Sequence, residues 1–308
     1  MTSMADNLRG ALFMVLSLAG FALNDALMKL LSSDIPLFQA IFLRGLAACL
    51  LVGTLAWYRH ALWCRLSARG AMMIGLRVVG ELGATIGFLT ALFNMPIANA
   101  TAILQAIPLA VTLGAALFLG EAVGWRRYSA IGVGFLGVML IIRPGAEGFT
   151  VYSLYALMAV AFLVLRDLAT RSLPADIPSM FVTLISTVAI TLMGAIVSAI
   201  AVFSKIQSWH PVSMAEIGML SLAAIFVFVG YLGGISAMRT GDISFISPFR
   251  YSVLLWAMLL GFLIFGEIPD PMMLLGSLIV VLTGLYTLYR ERVRERRVRT
   301  GPVPISGR

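Results

Sequence analysis

Ten separate apolar stretches constrain this chain more than any other feature of its sequence. Each is near the length of about 20 residues that crosses a lipid bilayer. They lie at roughly 9–31, 36–57, 71–94, 97–120, 126–143, 151–170, 178–203, 214–238, 243–266 and 271–289. Hydrocarbon offers no partner for a backbone amide, so each stretch must be helical. With 60% of its residues hydrophobic and only 12% charged, the chain is predicted to be an all-α membrane protein with ten transmembrane helices.

The sequence also contains the same half twice. The segment 97–121, IANATAILQAIPLAVTLGAALFLGE, returns at 243–267 as ISFISPFRYSVLLWAMLLGFLIFGE, and both copies end in Gly-Glu after an apolar run. Earlier in each half, Asp-Ile-Pro at 34–36 recurs at 176–178. Two matches at nearly the same spacing indicate a duplication.

The duplication predicts two domains and a tail. We expect the first five-helix repeat at 1–146, the second at 147–290 and a basic tail at 291–308. Because five is an odd number, the second repeat enters the membrane from the opposite face, and the two halves are inverted. In secondary transporters this arrangement places the substrate near the bilayer midplane, and rocking of the halves alternates access to it. The symmetry therefore points to transport.

The basic residues predict an orientation. If the N-terminus is cytoplasmic, fifteen of the 22 Lys and Arg residues fall on inner loops and tails, so the positive-inside rule places both termini in the cytoplasm. The segment 290–299, RERVRERRVR, has six arginines against two glutamates and is expected to lie along anionic lipid headgroups. Membrane orientation thus accounts for the net charge of +8, and we expect no nucleic-acid partner.

A charged pair inside the third predicted helix is the first candidate for a substrate site. A charge within the membrane costs about 2.5–3.5 kcal/mol on insertion scales and is usually paired or functional. Arg77 and Glu81 are four residues apart and share one helix face, with Glu81 near the midplane. Two interpretations follow: an internal salt bridge that neutralises itself, or a pair facing the cavity, where a substrate or a proton competes for one partner.

Further charges near the helix ends are candidate gates. Asp25 and Arg44 reach similar depth from the outer face and could form an outer gate, although Lys29, four residues after Asp25, is an equally available partner. In the second half, Asp167 and Arg171 keep the same spacing near the inner face. The sequence thus predicts one charged gate at each end of the path.

The two repeated helices supply the remaining site candidates. Each contains a proline, which frees a backbone carbonyl and either lines a cavity or kinks the helix only for packing. Gln105 aligns with Tyr251, and the neighbouring Arg250 has a planar guanidinium that suits a carboxylate, a phosphate or a polar ring. Glu121 and Glu267 end these helices at opposite faces, and we interpret them mainly as boundary residues.

Several long motifs carry a resemblance to a known family. The segments ALFNMPIANATAILQAIPLAVTLGAALFLGE, GVGFLGVMLIIRPG and AMRTGDISFISPF resemble the EamA branch of the drug/metabolite transporter superfamily. The resemblance implies a bacterial inner-membrane carrier that exports or imports amino acids, vitamins such as riboflavin, or other small metabolites. The segments GFALNDALMK and FQAIFLRG look like bacterial metabolite carriers and lean toward riboflavin importers.

Other functional classes are disfavoured. A membrane-embedded enzyme would need a catalytic set at one depth, but His60 and His210 lie in predicted loops and the sequence has no HExxH motif. A channel would need rings of like residues along a pore, which two inverted halves do not naturally supply. We therefore expect a secondary transporter of a small polar metabolite, without a cofactor or a metal, in which proton coupling through Glu81 is an open alternative.

Overall fold

The computed structural model describes residues 4–121, 123–144, 150–174, 176–240 and 242–300. Within these ranges ten helices are long and apolar enough to cross a membrane, so the predicted all-α membrane fold is confirmed. They are α1 Met4–Ser33, α2 Leu37–Tyr58, α3 Ala68–Asn94, α4 Ile97–Phe118, α5 Trp125–Ile142, α6 Val151–Arg171, α7 Ser179–Phe203, α8 Met214–Thr240, α9 Ser247–Phe265 and α10 Pro271–Arg290. The last helix continues to Thr300.

The helix ends define two faces of the protein. We call the face that carries the end of α1 and the start of α2 the Lys29 face. The opposite face carries the end of α6 and the start of α7, and we call it the Arg171 face. Because the number of helices is even, α1 begins and α10 ends on the Arg171 face.

Helix packing follows the inverted symmetry. The two largest contacts between the halves join α3 to α6 and α1 to α8, and exchanging the halves turns one of these pairs into the other. The next two contacts, α2 with α7 and α5 with α10, each map onto themselves. The expected boundary between the repeats, at 146/147, lies outside the described residues.

Glycines bring the paired helices into backbone contact. A Cβ atom at Gly80 on α3 would lie 2.7 Å from the backbone N of Arg166 and 2.8 Å from the backbone O of Phe162. At Gly20 on α1, a Cβ atom would lie 2.9 Å from the backbone O of Phe226 on α8. Small residues therefore allow the close approach of these helices. On α3 this approach sets Arg166 beside Glu81, the residue that follows Gly80.

The two repeated helices are interrupted where the prolines predict a break. Helix α4 consists of Ile97–Leu104 and Ile107–Phe118, with a proline in the first turn of the second segment. Helix α9 begins as a 3-10 helix over Ser247–Tyr251, again with a proline in its first turn, and becomes α-helical at Ser252–Phe265. Gln105 and Tyr251 thus lie at equivalent breaks of the two halves.

Candidate functional site

A four-charge network lies between α3 of the first half and α6 of the second. Glu81 presents one carboxylate oxygen to Arg77 Nη1 and the other to Arg166 Nη1, each at 3.6 Å. Arg166 also binds Asp167 through Nη2 at 2.8 Å and Nε at 2.9 Å. Arg77 Nη1 donates to Thr170 Oγ1 at 3.2 Å. The contact expected from the spacing of Arg77 and Glu81 is present, but it is one part of a larger network.

The network is neutral as a whole and incompletely bonded. Its two arginines and two carboxylates have side chains that are 12–29% exposed. Arg77 Nε and Glu81 Oε2 are buried and have no hydrogen-bond partner among the described residues. A buried polar atom without a hydrogen-bond partner costs about 1–3 kcal/mol, so the network is not at its most stable arrangement in this state.

A second polar cluster joins α1 to α2. Arg44 Nη1 donates to Asn24 Oδ1 at 2.9 Å, and Asn24 Nδ2 donates to Asp25 Oδ1 at 2.9 Å. The expected partnership of Asp25 with Arg44 is therefore mediated by Asn24. Asn24 is the counterpart of Arg166 in the repeat, so each half places a hydrogen-bond donor next to its aspartate.

Tyr231 on α8 lies near both polar clusters. It lies within electrostatic range of Glu81 and Arg166 on one side and of Arg44 on the other. Its ring meets that of Phe21 edge-on, with centroids 5.3 Å apart. Tyr231 is nevertheless 40% exposed. Charged side chains from α2, α3 and α6 thus lie within electrostatic range of this partly exposed ring.

Lys29 makes a compact set of contacts on the Lys29 face. Its Nζ lies 2.7 Å from Glu267 Oε1 and donates to the backbone O of Met95 at 2.5 Å. The other oxygen of Glu267 accepts from the backbone N of Ile97, the first residue of α4, at 2.9 Å. The sequence offered Asp25 as the partner of Lys29, and the structure pairs Lys29 with Glu267 instead, because the end of α9 lies beside α1.

The equivalent pair on the Arg171 face is looser. Arg171 Nη1 lies 3.4 Å from Glu121 Oε1, and the two side chains are 48% and 47% exposed. Those of Lys29 and Glu267 are only 13% and 18% exposed. From the sequence, both glutamates are expected mainly to be boundary residues, but each also pairs with a cation from the other half.

The helix breaks carry the other predicted site residues. Gln105 and Tyr251 are buried, at 9% and 8% exposure, whereas Arg250 is exposed. The Tyr251 hydroxyl is buried without a hydrogen-bond partner among the described residues and packs against Gly284 on α10. Among the described residues, these three side chains make no hydrogen bond or ion pair with the network around Glu81.

Arg166 and Tyr231 are site residues that were not predicted from the sequence. For Arg166 a signal existed, since the Arg166-Asp167 pair echoes Asn24-Asp25 in the other half. For Tyr231 the signal was weaker: a hydroxyl-bearing ring near the middle of an otherwise apolar helix. In the described part of the chain, no three His, Cys, Asp or Glu side chains lie together where they could hold a metal ion.

The chain is similar in sequence to known transporters. Residues 8–143 match the EamA-like transporter family. An S-adenosylmethionine uptake transporter of Rickettsia conorii is 26% identical over 92% of this chain and 94% of its own. A riboflavin transporter of Vibrio cholerae is 28% identical over 95% and 97%, and a pseudopaline exporter of Pseudomonas aeruginosa is 26% identical over 89% and 93%.

A solved crystal structure shows a similar fold. It aligns with a TM-score of 0.59 over 91% of this chain and 98% of its own, at 19% sequence identity. At that identity the likeness concerns the fold alone.

Proposed function

We propose that this protein carries a small polar metabolite across the bacterial inner membrane by alternating access. Residues 8–143 match the EamA-like transporter family, and the chain is an EamA-type transporter of the drug/metabolite superfamily. The chain is a transporter and not an enzyme. The observation that carries the proposal is the network of Arg77, Glu81, Arg166 and Asp167, which lies between the two halves. Inverted-repeat transporters bind their substrates at such an interface.

The depth of the network supports this location. Glu81 lies thirteen residues after the first residue of α3, which has 27 residues. At about 1.5 Å per residue, its backbone is about 20 Å along a helix about 40 Å long. A substrate that contacts Glu81 would therefore be near the middle of the membrane.

Riboflavin is one substrate candidate. Full-length relatives from Vibrio cholerae and Rhizobium johnstonii, 28% and 27% identical, are riboflavin transporters. The ring of Tyr231 offers a flat surface beside the network, and aromatic stacking suits a planar ring system.

The charges favour a second candidate, a metabolite that carries both charge signs. Arg77 and Arg166 would bind its carboxylate, while Glu81 and Asp167 would attract its cationic group. S-adenosylmethionine has a carboxylate, an ammonium and a sulfonium group, and the Rickettsia relatives are uptake transporters for it. Amino acids share the carboxylate and the ammonium, and the pseudopaline exporter supports export as the alternative direction.

Orientation is part of the proposal. Both ends of the ten-helix bundle lie on the Arg171 face, and fifteen of the 22 basic residues are predicted on that side. The positive-inside rule then makes the Arg171 face cytoplasmic and the Lys29 face periplasmic.

Uptake by purified protein in liposomes tests the proposal. We expect one of riboflavin, S-adenosylmethionine and the amino acids to enter protein-containing vesicles faster than empty ones. Tyr231→Phe keeps the ring against Phe21 but removes the hydroxyl near the network, so it should raise the KM for that substrate several-fold. Tyr128→Phe makes the same change on an exposed ring and serves as the matched control. Rates equal to those of empty vesicles for every substrate would contradict the proposal.

A further inference from the structure

The Lys29–Glu267 pair ties together four helices at one face. Lys29 belongs to α1, and its Nζ also holds the backbone O of Met95 at the end of α3. Glu267 follows α9, and its carboxylate also accepts from the first amide of α4, at Ile97. A negative charge at a helix N-terminus is stabilised by the helix dipole. One carboxylate thus neutralises a cation from the other half and caps a helix of that half.

The inverted repeat supplies an equivalent pair at the Arg171 face, which we call the mirror pair. Lys29 corresponds to Arg171, and Glu267 corresponds to Glu121, so each pair joins a cation from one half to a glutamate from the other. The mirror pair is longer, at 3.4 Å against 2.7 Å, and its side chains are about three times more exposed. The two faces are therefore chemically equivalent but structurally different in this state.

Packing of the broken helices shows the same asymmetry. At the Lys29 face, α4 lies against α9, and a Cβ atom at Gly261 would be 3.0 Å from Ile97 Cγ2. Among the described residues, the equivalent segments at the Arg171 face, Ile107–Phe118 and Ser247–Tyr251, show no comparable packing. At the helix breaks, the Lys29 face is therefore packed more tightly than the Arg171 face.

We propose that the two ion pairs are latches that are made alternately during the transport cycle. Glu267 closes the Lys29 face in the state seen here. In the opposite state Glu121 closes the Arg171 face: it pairs tightly with Arg171 and accepts from the backbone amide of Ile243, the counterpart of Ile97. This inference rests on the proposed function, because alternating access requires two states that differ in which face is closed.

The latches make opposite predictions for matched variants. Glu267→Gln keeps an oxygen for the Ile97 amide but removes the charge that holds Lys29, so the Lys29 face should open. Glu121→Gln should destabilise the other state and leave the Lys29 face closed. Asp270→Asn is the control, because Asp270 pairs with Arg143 at the same face but joins α5 to the start of α10.

Distances between spin labels in detergent or lipid report each face. In a background with both native cysteines, Cys49 and Cys64, changed to serine, labels at the exposed positions Asn94 and Ile268 report the Lys29 face. In the same background, labels at the exposed positions Leu119 and Arg239 report the Arg171 face.

We expect Glu267→Gln to lengthen the first distance and shorten the second. The ratio of closed to open populations at the Lys29 face should fall about tenfold, which corresponds to about 1.4 kcal/mol. The double variant Lys29→Met with Glu267→Gln leaves no unpaired charge, so it should give the same shift even if the single variant folds poorly.

The proposal would be overturned if the label distance distributions in Glu267→Gln and in the double variant matched those in Asp270→Asn. The Lys29–Glu267 pair would then only stabilise the fold. A shift of both glutamate variants in the same direction would also overturn it. The label distances require no substrate. If no substrate were taken up in the liposome assay, the label distances could therefore still be interpreted. If the label distances contradicted the latches, the uptake result would not be affected.

Discussion

Replacing Glu81 with glutamine tests whether the charge network holds the two halves together. The parent protein balances Arg77 and Arg166 against Glu81 and Asp167. In Glu81→Gln two guanidinium groups face a single carboxylate, and one positive charge is left in a largely buried site. The variant should therefore be less stable than the parent.

The distances set the size of the effect. At 3.6 Å and an effective dielectric constant of about 20, each contact of Glu81 with an arginine is worth about 4.6 kcal/mol before desolvation. Desolvation offsets much of this attraction, and removing one member of a buried pair costs about 3–5 kcal/mol. The double variant Arg77→Gln with Glu81→Gln leaves Arg166 bound to Asp167 at 2.8 Å, so it should recover most of that loss.

Unfolding in mixed detergent micelles with increasing SDS measures these differences. Glu121→Gln provides the comparison, because its partner is Arg171 in a half-exposed pair and such pairs contribute at most about 1 kcal/mol. We expect the free energy of unfolding to fall in the order parent, Glu121→Gln, Glu81→Gln, with the double variant close to the parent. A loss in Glu81→Gln no larger than in Glu121→Gln, or no recovery in the double variant, would refute the network.

Three further predictions concern topology, the path and energy coupling. Reporter fusions after Arg9 and after Arg299 should both report the cytoplasm, and a periplasmic signal from either would contradict the inverted arrangement. Arg250 is exposed near the start of α9 on the Arg171 face; if it guards that entrance, Arg250→Ala should abolish transport while the protein stays in the membrane, and normal transport would show that Arg250 only extends to the interface. If Glu81 couples transport to protons, the Arg77→Gln, Glu81→Gln double variant should fold yet fail to concentrate substrate under an imposed pH difference; full accumulation would rule out that role.

The helices were predictable because their signal is local. About 20 apolar residues in a row cross a membrane as a helix. Even the fifth stretch, predicted at 126–143 despite the arginines at its ends, is therefore a helix, α5, at Trp125–Ile142. The contact of Arg77 with Glu81 was predictable for the same reason, since four residues make one helical turn.

The long-range partners could not be found in this way. Arg166 reaches Glu81 only because Gly80 lets α6 approach the backbone of α3, and helix spacing within the sequence does not specify which helices become neighbours. Glu267 looked like a boundary residue because it directly follows a membrane helix. Its pairing with Lys29 depends on how the second half packs on the first.

Solute counterflow tests alternating access most directly. Liposomes containing the protein are loaded with a high concentration of the transported metabolite and diluted into a trace of the same metabolite carrying a radiolabel. A carrier that exposes one site to either face exchanges internal for external molecules, so we predict a transient rise of label inside well above its external concentration, followed by decay. A label that rises only to the external concentration would indicate a pore or a leak and would contradict the account.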